Sequence, residues 1–402
     1  MRRAAAVLSL ALAVACSDDS TGGNGGVGGL GVAGAGVGAS ASGGTGSGGM
    51  GHGGSGSVPD ICKDIGTNMT IGAAIFGDAG TQWFQAPGVD WTYGYMYAAG
   101  DPHQDLAGFT WLVNFRLDTA AQAGAALPTV TFYRMLGVGS EHGHTGSEAQ
   151  IVQAMLGDSA AVFDYLDDLV ALLQILGARG TPTLLHVEPD SWGFMMWAFD
   201  GVDPVAGNGD AASIPVSLSN ANHPALAGQS FADNAAGLGQ AMLYLRDQLA
   251  PNVRMGWHAS NFRVGTRPDV VSSFYSALGP WDVMVTEPPH MVGSGTNAWD
   301  PSAPDNANNL QWLATVSQGA GLPILVWQTY VDDADAYLGG WPANQANMTA
   351  LAESGVAGVL WDPNGNGGDC AYACPAAGTL HDYLVAYSAA PLPLPSGQLC
   401  AQ

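Results

Sequence analysis

Short apolar runs alternate with helix-like stripes over most of the chain. Eight runs rich in Val, Ile, Leu, Phe or Tyr, most of them bounded by Gly or Pro, predict strands: Thr70–Phe76, Tyr93–Ala98, Thr129–Met135, Thr183–Glu188, Val253–His258, Asp282–Glu287, Ile324–Tyr330 and Val356–Asp362. Between them the apolar period becomes helical. Ala160–Leu176 places Val162, Leu166, Leu169, Val170 and Leu173 on one stripe, and Phe231–Leu249 does the same with Leu238, Met242, Leu245 and Leu249. Asp269–Leu278, Asn306–Ser317 and Asn344–Glu353 are weaker versions, and Leu380–Tyr387 closes the series. The links on either side of the second strand show no clear helix. Eight strands alternating with helices predict a single (β/α)8 barrel over residues 58–402. The competing open α/β sheet lacks a GxGxxG between strand and helix, so a dinucleotide site is not expected. The polar stretch Phe194–Gln229 is expected as a loop on the face formed by the strands' C-terminal ends.

The first 57 residues carry no such pattern. Arg2 and Arg3 precede a short apolar stretch, Ala4–Val14. It ends Leu12-Ala13-Val14-Ala15-Cys16, which resembles a bacterial lipoprotein signal, although Ala13 stands where the usual leucine would. The resemblance implies a signal peptide over 1–15, a lipidated Cys16 and attachment to the membrane through that lipid. The expected location is the surface of a bacterial cell envelope. The alternative is an ordinary signal peptide and a secreted protein. From Ser17 to Ser57 the chain is mostly Gly, Ser, Ala and Thr, a composition too poor in apolar residues to fold and suited to a tether. Its reach is roughly 30–40 Å.

Composition narrows the function. Among 402 residues there are 34 acidic and 10 basic side chains, for a net charge of −24, so no basic face exists for nucleic acid. No run of about 20 apolar residues follows the N-terminus, which excludes a polytopic membrane protein. Five cysteines are present; with Cys16 lipidated, Cys62, Cys370, Cys374 and Cys400 remain. An even number in an exported chain suggests two disulfides, and three pairings are open. The preferred one closes a small Cys370–Cys374 loop and joins the domain's ends through Cys62–Cys400.

The negative charge is nearly all aspartate. Only Glu141, Glu148, Glu188, Glu287 and Glu353 are glutamates, and two of these, Glu188 and Glu287, sit at predicted strand ends, each followed by proline. In a barrel the reactive side chains gather at those ends. The same ends supply Tyr95, Arg134, His186, Asp190, Trp192, Trp257, His258, Asn261, Trp327, Gln328, Trp361 and Asp362. Strand alternation puts His186 and Glu188 on the barrel-mouth face. Tryptophan faces stack on sugar rings, while Asn, Gln and His bind hydroxyls. Cleaving a glycosidic bond takes two carboxyl groups, one donating a proton and one acting as nucleophile or activating water. Glu188 is the expected donor and Glu287 its partner, with Asp190 and Asp362 as substitutes. A strand-end carboxylate has a structural alternative: it can cap a helix or pair with Arg134.

The stretch His186-Val187-Glu188-Pro189-Asp190-Ser191 resembles the Glu-Pro-Asp-Ser segment of glycoside hydrolase family six, the cellulase family with a distorted barrel. A glutamate ending strand four is also similar to the acid/base of the large (β/α)8 glycosidase clan. That clan's nucleophile glutamate ends strand seven, where this chain has Gln328. The resemblance implies a glycoside hydrolase acting on a polysaccharide; Gln328 keeps open a non-catalytic glycan-binding lipoprotein on a degenerate barrel. No cofactor and no metal are expected. Asp362-Pro363-Asn364-Gly365-Asn366-Gly367 opens like a calcium loop, but Ala373 stands at the twelfth position. Glu141-His142-Gly143-His144 lacks helical ligand spacing, and neither Ser191 nor Ser260 lies in a nucleophile elbow.

Overall fold

The computed structural model describes residues 60–75, 84–85, 87–98, 100–197, 207–259, 268–287, 304–330, 345–362 and 375–401. Cys16, the tether, Asn261, Cys370, Cys374 and the Pro363–Gly367 stretch lie outside them. Eight parallel strands close into a barrel: β1 Thr70–Ala74, β2 Tyr93–Tyr97, β3 Thr129–Phe132, β4 Thr183–Val187, β5 Val253–His258, β6 Val283–Thr286, β7 Ile324–Tyr330 and β8 Val356–Asp362. Each pairs with its successor, and Ile71 against Val359 joins β8 to β1. All eight predicted strands are present, several a residue or two shorter at the C-terminal end. The chain is a (β/α)8 barrel.

The helices, in chain order, are α1 Asp60–Ile65, α2 Pro102–Gln122, α3 Met135–Glu141, α4 Glu148–Gly157, α5 Ser159–Arg179, α6 Ser191–Trp197, α7 Leu218–Ala221, α8 Ala235–Leu249, α9 Pro268–Ala277, α10 Pro304–Ala320, α11 Gln345–Glu353 and α12 Pro375–Ala389. Their ends follow local chemistry. Asp158 caps α5 through the amides of Ala160 and Ala161, and Gly180 ends it in the left-handed region at φ 66. Asn234 caps α8 through the Gly237 amide. The helices missing from the sequence pattern are α1 to α4, α6 and α7, and the longest of them is α2. It buries Phe109, Val113 and Leu117 but leaves Leu106, Trp111 and Phe115 exposed. Apolar residues on both faces erase the amphipathic signal.

Period-two alternation sorts the barrel wall. A Cβ on Gly72 would lie 2.6 Å from Tyr93 Cβ and 3.2 Å from Leu360, so this face of β1, β2 and β8 fills the barrel and requires a glycine there. At the other end of the strands, Arg254 pairs with Asp64 of α1 at 2.6 Å. A disulfide joins Cys62 to Cys400, the two ends of the domain, with their Cα atoms 4.9 Å apart. The described part of the polar stretch after β4 does not form a free loop over the mouth. Ser217 bonds Leu156 and Gly157 at the end of α4, and His223 packs on Phe163 of α5.

Candidate active site

Glu188 ends β4 in a left-handed conformation, φ 53, rare for a residue with a side chain. The turn carries its carboxylate away from open solvent, to zero exposure. Oε1 accepts from the Arg134 amide at 2.8 Å and the Met135 amide at 3.2 Å, and Oε2 accepts from Ser191 Oγ at 2.9 Å. Glu188 therefore caps the start of α3 and ties it to α6. Burial raises its pKa to about 7 despite those three donors. Arg134, expected to touch substrate, is also fully engaged. Its Nε donates to Asp168 at 2.7 Å and its two terminal nitrogens grip Glu141 at 3.1 and 3.0 Å.

Two residues further on, Asp190 has different company. It is only partly exposed and hydrogen-bonded with the Tyr133 hydroxyl. Burial first, and then the charge of Glu287, push its pKa up to about 6. Glu287, just past β6, lies with Oε1 2.9 Å from His258 Nε2. The contact falls short of hydrogen-bond geometry; catalytic hydrogen bonds commonly straighten only in the reacting complex. His258 Nδ1 is 2.9 Å from His186 Nε2, and His186 Nδ1 is 3.2 Å from Thr131 Oγ1. Burial and the neighbouring His258 hold His186 well below its ordinary pKa, so it is neutral. Asp190 thus feels the charge of Glu287, and a histidine line stands behind Glu287.

Of the four rim tryptophans, Trp327 is the one at this site. Its ring centroid is 4.8 Å from His186, 5.5 Å from His258, 6.1 Å from Tyr95 and 6.0 Å from Tyr97. Among the described residues its indole N–H has no hydrogen-bond partner. The next residue, Gln328, has φ 54, and the register of β7 against β8 shifts between Val326 and Thr329. That bulge lets the Gln328 amide donate to the Tyr97 hydroxyl at 2.9 Å.

The other three tryptophans are packed elsewhere, a correction to the expected aromatic cleft. Trp257 lies flat on Tyr275 of α9 at 3.6 Å, in the layer between barrel and helices. Trp192 is fully buried, edge-on to Trp281, and donates to the Val187 carbonyl. Trp361 is fully buried and has the opposite parity to Leu360 and Asp362, so it faces away from the interior. Applying the two-residue period to β5 and β8, as to β4, separates Trp257 from His258 and Trp361 from Asp362. Asp362 is buried at the end of β8. Tyr133, Tyr97 and Thr131 are site residues that the sequence reading missed; Tyr97 and Thr131 have the inward parity of Tyr95 and of a residue paired with His186. His142 and His144 pair with Asp164 and Asp158, and among the described residues no three side chains converge as metal ligands.

No family model and no curated protein matches the sequence. Similar solved structures include GH26C from a Muricauda species, with TM-score 0.51 and 12% identity, covering 81% of this chain and 87% of that one. Another is a GH26 beta-mannanase from Bacteroides ovatus, with TM-score 0.51 and 13% identity, covering 85% of this chain and 95% of that one. The shared feature is the barrel fold. The family-six likeness of Glu188–Ser191 gains no support from either.

Proposed function

We propose that the chain is a glycoside hydrolase that cleaves a polysaccharide at the C-terminal face of its barrel, with Asp190 as proton donor and Glu287 as the second carboxylate. The observation that carries this reading is Glu287, just past β6, held against His258, with Asp190 after β4 feeling its charge. One carboxyl group, with its pKa raised to about 6, sits within the field of another that is backed by His258. Acid/base cleavage of a glycosidic bond needs two carboxyl groups, one of which holds a proton. Protonated Asp190 delivers its proton to the leaving oxygen, and Glu287 stabilises or attacks the anomeric carbon or deprotonates the incoming water. Trp327, buried against His186 and His258, and the half-buried Tyr97 line the same end of the barrel interior. Glu188 moves from donor to scaffold, because both of its oxygens are occupied and none of it is exposed. The beta-mannanase of the same fold puts mannan beside glucan and xylan on the first substrate panel.

The test is release of reducing ends from that panel. Asp190→Asn lowers the rate by at least about 100-fold, the usual contribution of general acid catalysis, while Glu188→Gln keeps most of it. The reverse ranking would return the donor role to Glu188. A second reading, a glycan-binding protein without catalysis, draws on Gln328, an amide committed to Tyr97 where the glycosidase clan has a carboxylate. Tight oligosaccharide binding with no product from any polymer would favour it. The same proposal extends to location: a signal peptide over residues 1–15, a lipid on Cys16, a tether to residue 57 and a barrel displayed on the envelope. Labelling with radioactive palmitate, lost in Cys16→Ser, tests the anchor.

A further inference from the structure

We infer that His186 is a positioning residue: together with Thr131 it fixes the tautomer of His258, so that an N–H and not a lone pair faces Glu287. The inference rests on the reading of Glu287 as the second carboxylate. A neutral imidazole has one donor and one acceptor nitrogen, so in a line of two rings the first tautomer dictates the second. The line begins at Thr131, which is wholly buried and whose hydroxyl meets His186 Nδ1 and no other hydrogen-bond partner among the described residues. The hydroxyl proton needs an acceptor, and a buried donor without one is costly. Thr131 therefore donates to a bare Nδ1. His186 then carries its proton on Nε2 and donates to His258 Nδ1, which leaves the His258 proton on Nε2, opposite Glu287 Oε1. The opposite order strands the threonine proton and points a lone pair at a carboxylate.

The surroundings hold this order. Burial keeps His186 neutral, which removes the doubly protonated form that would break the line. The Tyr275 hydroxyl bonds the His258 carbonyl, and Trp327 covers both rings. The other groups that act electrostatically on this corner are Asp190, which feels both His258 and Glu287, and Glu148 behind it. The line runs around the wall of the barrel, because Thr131 is the register partner of His186 and His186 that of Gly256, two residues before His258. It has no outlet at Thr131, so it orients His258 and does not conduct protons from solvent.

The experiment uses the full chain labelled with 15N-histidine. Long-range 1H–15N correlation spectra near pH 7.5, assigned with His186→Gln and His258→Gln, are expected to show both residues protonated on Nε2 and bare on Nδ1. In Thr131→Val the His186 signal is expected to show a mixture. The kinetic arm compares pH profiles. His186→Leu is expected to lower kcat/KM about 10- to 100-fold, the span of one lost charge-assisted hydrogen bond. Its acidic limb moves up by about one pH unit, KM stays nearly constant, and His186→Gln, which keeps a donor toward His258, recovers most of the loss. A proton on Nδ1 of either ring in active wild-type protein overturns the inference, and so does a His186→Leu profile that superimposes on wild type. Wild-type chain that yields no product but shows the two expected tautomers supports the inference about the line and defeats the hydrolase reading, so the two failures are distinct.

Discussion

Glu188→Gln tests the assignment of Glu188 as a buried cap through stability and not only through rate. In the folded chain burial raises the Glu188 pKa from 4.5 to about 7. A carboxyl group with a raised folded pKa contributes stability that is fully present below its unfolded pKa and is lost as pH rises through the folded value. At 1.36 kcal/mol per pH unit the complete span is about 3 kcal/mol, of which about 2.5 kcal/mol falls between pH 5 and pH 8. Glutamine has no proton to lose. Its carbonyl can keep the Arg134 and Met135 amides, and its amide can turn Ser191 Oγ into an acceptor. Urea unfolding of wild type and Glu188→Gln at pH 5, 6, 7 and 8 gives the difference directly. Relative to the variant, the wild type is expected to lose about 2.5 kcal/mol across that range. Curves that stay parallel at every pH would refute the reasoning, because Glu188 would then titrate as if solvated.

Three other outcomes are expected. Replacing Cys62 with Ser opens a covalent link between residues 338 apart in sequence and costs about 3–5 kcal/mol in denaturant titration under oxidising conditions. Trp257→Ala removes the ring stacked on Tyr275 and destabilises the chain by about 3–5 kcal/mol; Trp327→Ala, at a ring only 3% exposed, costs a similar amount and in addition weakens oligosaccharide binding, measured by calorimetry. The basic limb of kcat/KM should lie near pH 6, where Asp190 gives up its proton. Lowering the negative charge beside it with Glu287→Gln should move the Asp190 titration, followed by carboxyl-labelled NMR, to lower pH.

The barrel was legible in the sequence because it is a local property repeated eight times. A strand buried on both faces must be a short run of β-branched and aromatic residues, and the helix that covers it must carry an apolar stripe. The longest unpredicted helix, α2, shows the limit of that logic. Its exposed Trp111 and Phe115 give it two apolar faces, so only packing against the barrel reveals which one is inside.

The scarcity of glutamate also pointed to two positions that matter, but it could not separate their roles. Glu188 and Glu287 look alike in sequence, each at a strand end before a proline. What differs is a backbone angle. At φ 53 the Glu188 side chain swings onto the amides opening α3, while Glu287 stays beside His258 in the mouth.

By itself, then, the sequence determined the strands, the helices that amphipathicity exposes, and the acidic, lysine-poor character that argues against a nucleic-acid partner. Tertiary structure decided which carboxylate pairs with which, which tryptophan faces the mouth, and that Thr131, His186, His258 and Glu287 form one line. That line spans 156 positions, from Thr131 to Glu287. Hydrophobic patterning acts over a few residues, whereas hydrogen-bond partners and burial are set by which strands the closed barrel makes neighbours.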